Sequence, residues 1–146
     1  GVNMAISQAM CTSFKSEILD EQHDLIADTI KIALYTSSAT LGASTTAFSS
    51  SNEITNSSGT AYTSGGATLT NITPVASSTT AICDFVDVSY TDASFTANGA
   101  LIYNDTATGD PACVVIAFGS DKTVTSGTFT IQFPTADATD AIIRIA

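Results

Sequence analysis

The chain reads as a mainly β protein. The expected form is a single-domain β-sandwich, of jelly-roll or immunoglobulin-like kind, or a β-barrel, with seven or eight short strands behind an N-terminal helix. Three observations lead there. Thr (24) and Ser (18) make up 42 of 146 residues, while charged residues are only 12% of the chain. Thr favours strands, and the Lys and Glu that usually solvate helices are scarce. From residue 29 onward, apolar residues alternate in short runs separated by Gly, Pro, Asn and Asp. No helical pattern intervenes between the later runs, which argues against βαβ units. At 14.9 kDa the chain fits one domain, 1–146, and its 44% apolar content can offset the entropy of ordering it.

Residues 4–22 carry the helical pattern. Met4, Ala5, Gln8, Ala9, Cys11 or Thr12, and then Phe14, Ile18 and Leu19 recur mainly at three- and four-residue intervals. Met10, Phe14 and Ile18 form a seam suited to lie across an open end or face of a sheet, with Glu17 and Glu21 facing water. The β-rich body is expected over 29–146. Its firmest strand is Ile30, Ile32 and Leu34 alternating with Lys31, Ala33 and Tyr35, which predicts one strongly buried face. A long excursion over 36–66 follows, with Leu41, Phe48, Ile54 and Tyr62 as its apolar anchors. Thirty structureless residues are unusual in a compact domain, so one or two short strands are expected there.

Residues 67–75 form the next strand, ending near Pro74, whose missing N–H interrupts a ladder. Ile82, Val86, Val88 and Tyr90 share one parity over 81–90, while Cys83 and Phe85 lie on the other, as in an inner strand. Phe95, Ala97, Gly99, Leu101 and Tyr103 alternate again, and residues 104–111 (NDTATGDP) make a turn. Residues 113–118 are a short apolar strand, Gly119-Ser120-Asp121 a turn, 124–133 a strand through Phe129, Ile131 and Phe133, and 141–145 the last strand.

Fourteen acidic residues against four basic ones give a net charge of −10. No continuous positive surface is available for nucleic acid or an anionic bilayer, so neither is an expected partner. No stretch approaches 18 apolar residues, and the N-terminus lacks the pattern of a signal peptide, which predicts synthesis in the cytosol without export. Cys11, Cys83 and Cys113 show no metal-ligand spacing and read as buried free thiols, with a Cys83–Cys113 bridge as the alternative.

The chain offers little chemistry. His23, the only histidine, has no partner arrangement for catalysis and reads as a polar group at a helix end. Asn104, Asp105 and Asp110, or Asp84, Asp87 and Asp92, could offer oxygens to calcium, but neither set matches an EF-hand loop. Asp84 and Asp87 fall on opposite strand faces, which is no arrangement for glycoside hydrolysis. Ser57-Ser58-Gly59 and Ser64-Gly65-Gly66 lack the P-loop Lys and read as bends or close backbone approaches. The sequons at Asn56, Asn71 and Asn104 read as incidental. Tyr35, Phe48, Tyr62, Tyr90 and Tyr103 are scattered along the chain and read as core or rim packing rather than a sugar platform. No catalytic, cofactor or metal site is expected.

Several segments, in order, resemble small virion structural proteins of tailed bacteriophages, including those of marine and cyanobacterial phages. They are residues 14–19 (FKSEIL), the bend 23–25 (HDL), 28–36 (DTIKIALYT), 62–66 (YTSGG), 95–104 (FTANGALIYN) and 118–124 (FGSDKTV). The chain departs from the group at Glu21-Gln22-His23, where a Gly often opens the bend. Such proteins are β-rich and include capsid decoration, or cement, proteins. The resemblance implies a non-enzymatic protein, made in the host cytoplasm, that binds the assembled lattice of the major capsid protein and stabilises the head, with self-association on the capsid as an option. A tail or connector component, or a receptor- or glycan-binding module of a fibre or tail, is the alternative. The helix or the 36–66 excursion would make the attachment, and Met10, Phe14, Leu41, Phe48, Ile54 and Tyr62 are the candidate contact residues.

Overall fold

The computed structural model describes residues 6–55 and 59–146. The elements are β1 (Ala9–Met10), α1 (Thr12–Leu19), β2 (Ile30–Tyr35), β3 (Ala67–Thr68), β4 (Asn71–Ser77), β5 (Thr80–Phe85), β6 (Val88–Asn104), β7 (Ala112–Ile131) and β8 (Ile143–Ile145). The eight strands among the described residues form two antiparallel sheets, β1-β7-β6-β2-β3 and β4-β5-β8, and not one closed barrel. One hydrophobic cluster draws on both, including Phe14, Ile32, Leu101 and Val115 with Cys83, Phe85 and Ile143. No helix among the described residues is long and apolar enough to cross a membrane.

The helix is shorter than its apolar spacing predicts, with eight residues instead of nineteen. Tertiary hydrogen bonds claim the residues before it. Met10 pairs with Val114 in β1, and the N–H groups of Cys11 and Thr12 donate to Cys113 O and Ala43 O, each at 2.9 Å. The expected Met10–Phe14–Ile18 seam is therefore split between a strand and a helix, and residues 4 and 5 lie outside the described residues. At the C-terminus, Glu21 N–H donates to Ile18 O and Gln22 N–H to Glu17 O, a Schellman arrangement. Glu21 takes φ 60 there, the left-handed conformation that Gly adopts most readily.

β2 is buried on both faces, not one, with only Lys31 half-exposed. The excursion lies against it: Ile54 N–H donates to Leu34 O at 2.9 Å, and Tyr35 Oη donates to Ser49 O at 2.7 Å. The described residues of the excursion form no strand. Isolated bridges pin it instead, Ile6 to Leu41, Tyr35 to Glu53 and Ala47 to Pro111. Its hydroxyls and turns satisfy the backbone singly where a ladder would do so collectively, as Thr45 Oγ1 does for Gly42 N–H.

Other boundaries move for identifiable reasons. Residues 67–75 divide between the two sheets, and Pro74 lies inside β4, where it is tolerated because β4 is an edge strand with a bulge between Ile72 and Val75. Residues 81–90 divide at Val86 and Asp87, where the chain passes from the small sheet to the large one. The later strands are not all short, because β6 runs for 17 residues and β7 for 20. Residues 119–121 are not a turn between strands. They belong to a bulge of β7, between the pairs Gly99–Ala117 and Ala97–Lys122, with Gly119 at φ 82. The 104–111 segment does turn the chain, closing the β6–β7 hairpin.

Candidate interaction surface

Phe14, Ile54 and Tyr62 lie in the core, and Met10, Leu41 and Phe48 are half-buried against it. Phe48 stacks on Tyr103, ring centroids 4.5 Å apart. These six side chains hold the fold together; at most three of them reach the surface. The aromatic residues, scattered in sequence, do meet in space: Tyr62 lies 6.0 Å from Tyr90 and 6.4 Å from Phe95. All four tyrosines are buried, so they present no platform to solvent.

Two polar networks consume most of the conspicuous functional-looking groups. Glu53 ties the excursion down: its Oε2 accepts from Tyr62 Oη at 2.5 Å and from Gly65 N–H at 2.7 Å. Tyr62 Oη in turn accepts from Leu34 N–H at 3.0 Å. Burial first, and then the hydrogen bond to Glu53, push the Tyr62 phenol far above its ordinary pKa, so it stays a donor. The second network fixes the helix end. His23 Nε2 faces Glu17 Oε1 at 3.0 Å, and its Nδ1 faces Asn104 Nδ2 at 3.0 Å. Since an amide nitrogen can only donate, Nδ1 accepts and Nε2 carries the proton. Asn104 also donates to Asp28 Oδ2 at 2.7 Å. Histidine thus serves as a structural joint between α1 and the β6 end.

The cysteines are free and buried. Burial pushes Cys11 and Cys83 up to about 11 and Cys113 higher still, which keeps them as unreactive thiols. Among the described residues, no group of three or more His, Cys, Asp or Glu is gathered as for a metal ion. The sequon Asn104 is fully buried, Asn71 donates to Leu25 O, and Asn56 lies outside the described residues. Ser64-Gly65-Gly66 is a bend with close backbone approach, both glycines having φ near +90. Gly59 is likewise left-handed, while Ser57 and Ser58 lie outside the described residues.

Three buried side-chain oxygens among the described residues lack a hydrogen-bond partner, Ser13 Oγ, Tyr90 Oη and Asp84 Oδ2, and of these only Asp84 is a carboxyl group. It is fully buried; Oδ1 accepts from Phe85 N–H at 2.8 Å, and Oδ2 has no partner among the described residues. Burial, with a small contribution from Asp87, raises its pKa above the ordinary 3.8 and outweighs the backbone N–H groups of Phe85 and Ile142, which act to lower it. The fold therefore favours the neutral acid. That stabilisation is complete below the unfolded value and is lost as pH rises through the folded one. Asp84→Asn is expected to match the wild type in acid and to exceed its stability at neutral pH. Urea midpoints across that range check it; parallel pH profiles for the two proteins would refute it.

What the surface does offer is apolar. Leu19 is 87% exposed, Ile26 70%, and Val75, Val86 and Ile145 about half. Leu19 lies five residues beyond Phe14, about 140° around the helix from the core-facing position. Ile26 sits at the tip of a tightly tied turn: Asp24 Oδ1 accepts from Ile26 and Ala27 N–H at 2.9 and 3.1 Å, and Asp28 N–H donates to Asp24 O at 2.8 Å. Next to them are two grooves that share Ile18 and Ile145. One, of about 540 Å³, runs by His23, Leu25, Ile26, Pro74 and Ile143; the other, of about 290 Å³, lies between α1 and β8. A separate groove of about 530 Å³ is lined by Phe118, Phe129 and Phe133 with Gln8, Lys122 and Gln132.

Sequence reasoning missed Leu19 and Ile26 as surface residues because apolar residues near a helix are ordinarily assigned to the core. The available signal was Asp24-Leu25-Ile26-Ala27-Asp28, an apolar tip enclosed by turn-forming acids. Comparison with protein-family models, curated proteins and solved structures finds no match to this chain.

Proposed function

We propose that this chain is a non-enzymatic structural protein of a tailed-bacteriophage virion, which binds the assembled major-capsid lattice and stabilises the head. It is made in the host cytoplasm and resides on the capsid surface, with its two sheets facing each other as a sandwich. The observation that carries this reading is the exposed apolar surface around Leu19, Ile26 and Ile145, held on a rigid end of α1 and on β8. Burying one such side chain contributes about 1.5–3 kcal/mol, and repeated attachment on a lattice multiplies weak contacts. The sequence resemblance supports the virion setting. The net charge of −10 fits an outer position away from packaged DNA. The hydrogen-bonding groups of Glu53 and Asn104 are spent internally, which suits a static role.

Two measurements test it. In intact virions the protein is expected in hundreds of copies at a fixed ratio to the major capsid protein; a few to a few dozen would move it to the tail, connector or fibre. There the phenylalanine-lined groove would be the first glycan candidate. In co-sedimentation with purified shells, Leu19→Asp and Ile26→Asp are each expected to weaken binding by roughly tenfold or more without changing the fold. Wild-type binding by both variants would sink the surface assignment.

A further inference from the structure

The groove between α1 and β8 has an apolar lining edged by two of the protein's four basic residues. The chain has four basic residues against 14 acidic ones, so any cation ought to find a carboxylate easily. Lys31 does, pairing with Asp105 at 3.3 Å. Lys15, Lys122 and Arg144 do not: among the described residues none of the three makes an ion pair, and all are exposed. Two of them, Lys15 and Arg144, 129 positions apart in sequence (144 − 15), line the same groove of about 290 Å³, together with Met10, Ile18, Leu19 and Ile145. Arg144 is also oriented, because its guanidinium donates to Thr139 O. Asp137 holds that segment in place, its Oδ1 accepting from Thr139 N–H at 2.9 Å and Asp140 N–H at 2.7 Å. Among the described residues the other guanidinium N–H groups make no hydrogen bond and can meet a carboxylate.

We infer that this groove receives an extended acidic and apolar segment of the shell subunit, with a carboxylate of that segment held between Lys15 and Arg144. The inference rests on the lattice-binding reading and specifies the chemistry of the partner. Ile18, Leu19 and Ile145 supply the apolar floor. Among the described residues β8 pairs only with β5 and ends its sheet, so an extended segment adds main-chain hydrogen bonds along its other side. A polyanion is a poor occupant because the net charge of −10 repels it over a distance, whereas a single carboxylate beside apolar side chains matches the local charge. A second copy of this chain would bring the same strongly negative field and is disfavoured on that ground.

The test is co-sedimentation of the full chain with purified shells lacking it, at low and high salt. It compares the wild type with Lys15→Glu/Arg144→Glu, with Lys15→Gln and Lys15→Arg alone, and with Leu19→Asp. Lys15 is exposed and away from the core, so its single variant keeps the test valid if the double variant misfolds. The wild type should weaken with salt. Double charge reversal should cost tenfold or more and invert the salt dependence, because salt then screens a repulsion; Lys15→Gln should weaken both binding and its salt dependence in smaller degree, and Lys15→Arg should bind normally. If charge reversal leaves shell binding intact while Leu19→Asp abolishes it, the carboxylate inference is overturned and the lattice reading survives. If the wild type does not bind shells, both fall. If charge reversal instead disrupts self-association of the free protein, the occupant is a second copy and the inference is overturned.

Discussion

Gly66→Ala is expected to destabilise the protein by roughly 3–5 kcal/mol, lowering its melting temperature by about 10 °C, whereas Gly109→Ala should cost about 1 kcal/mol. Both glycines are left-handed, with φ of +90 and +84, so the intrinsic penalty for a side chain is similar. Their surroundings differ. A Cβ on Gly109 meets nothing within 4 Å, while one on Gly66 would lie 1.9 Å from Ile32 O and 2.8 Å from Ala33 Cα. Those are main-chain atoms of β2, and Ile32 is paired with Ala67 on one side and Ile102 on the other, so β2 cannot retreat. The 63–66 bend must move instead. That movement strips Gly65 N–H from Glu53 and Gly65 O from the Tyr103 hydroxyl. Thermal or urea unfolding of the two variants gives the comparison; equal losses would mean that backbone strain alone matters and close approach does not.

Asn104→Ala should be comparably damaging, at roughly 3–5 kcal/mol, because the side chain is fully buried and satisfied on both sides. Its Nδ2 serves His23 and Asp28, and its Oδ1 accepts from Thr106 N–H at 2.9 Å and Ala107 N–H at 3.1 Å. Alanine leaves four partners short of a hydrogen bond, among them the Asp28 carboxylate. Asn104→Asp keeps the two N–H contacts but turns a donor into a carboxylate facing Asp28, so it should be no better than alanine at neutral pH and should recover in acid. The observable beyond stability is the ring-nitrogen chemical shift of His23: the Nδ1 acceptor signature should be lost in both variants. Survival of that signature with wild-type stability would show that the helix end does not depend on Asn104.

Which parts of the molecule were legible in advance follows a physical line. Alternation at Ile30–Tyr35 and at Phe95–Tyr103 identified real strands, since side-chain period is a local property of extended chain. The 104–111 turn and the constrained Gly65-Gly66 bend were legible for the same reason. The helix start was not, because the N–H groups of Cys11 and Thr12 go to Cys113 and to Ala43 in the excursion, which no window of a few residues contains. The joining of 113–118 and 124–133 into one strand was hidden because a bulge and a turn use the same residues, here Gly119-Ser120-Asp121.

The candidate contact residues mark the sharpest division. Composition and alternation determined that the chain would be β-rich, acidic, poor in ion pairs and supplied with buried thiols, since each of these follows from residue type and local spacing. Which apolar residues are spent on the core and which are left over was decided only by tertiary packing. Phe14, Ile54 and Tyr62 are consumed because sheet and excursion close around them, while Leu19, Ile26 and Ile145 remain outside. The meeting of Lys15 with Arg144 at one groove is likewise a property of the assembled fold, because their proximity depends on how α1 and β8 are brought together and on nothing in the sequence near either of them.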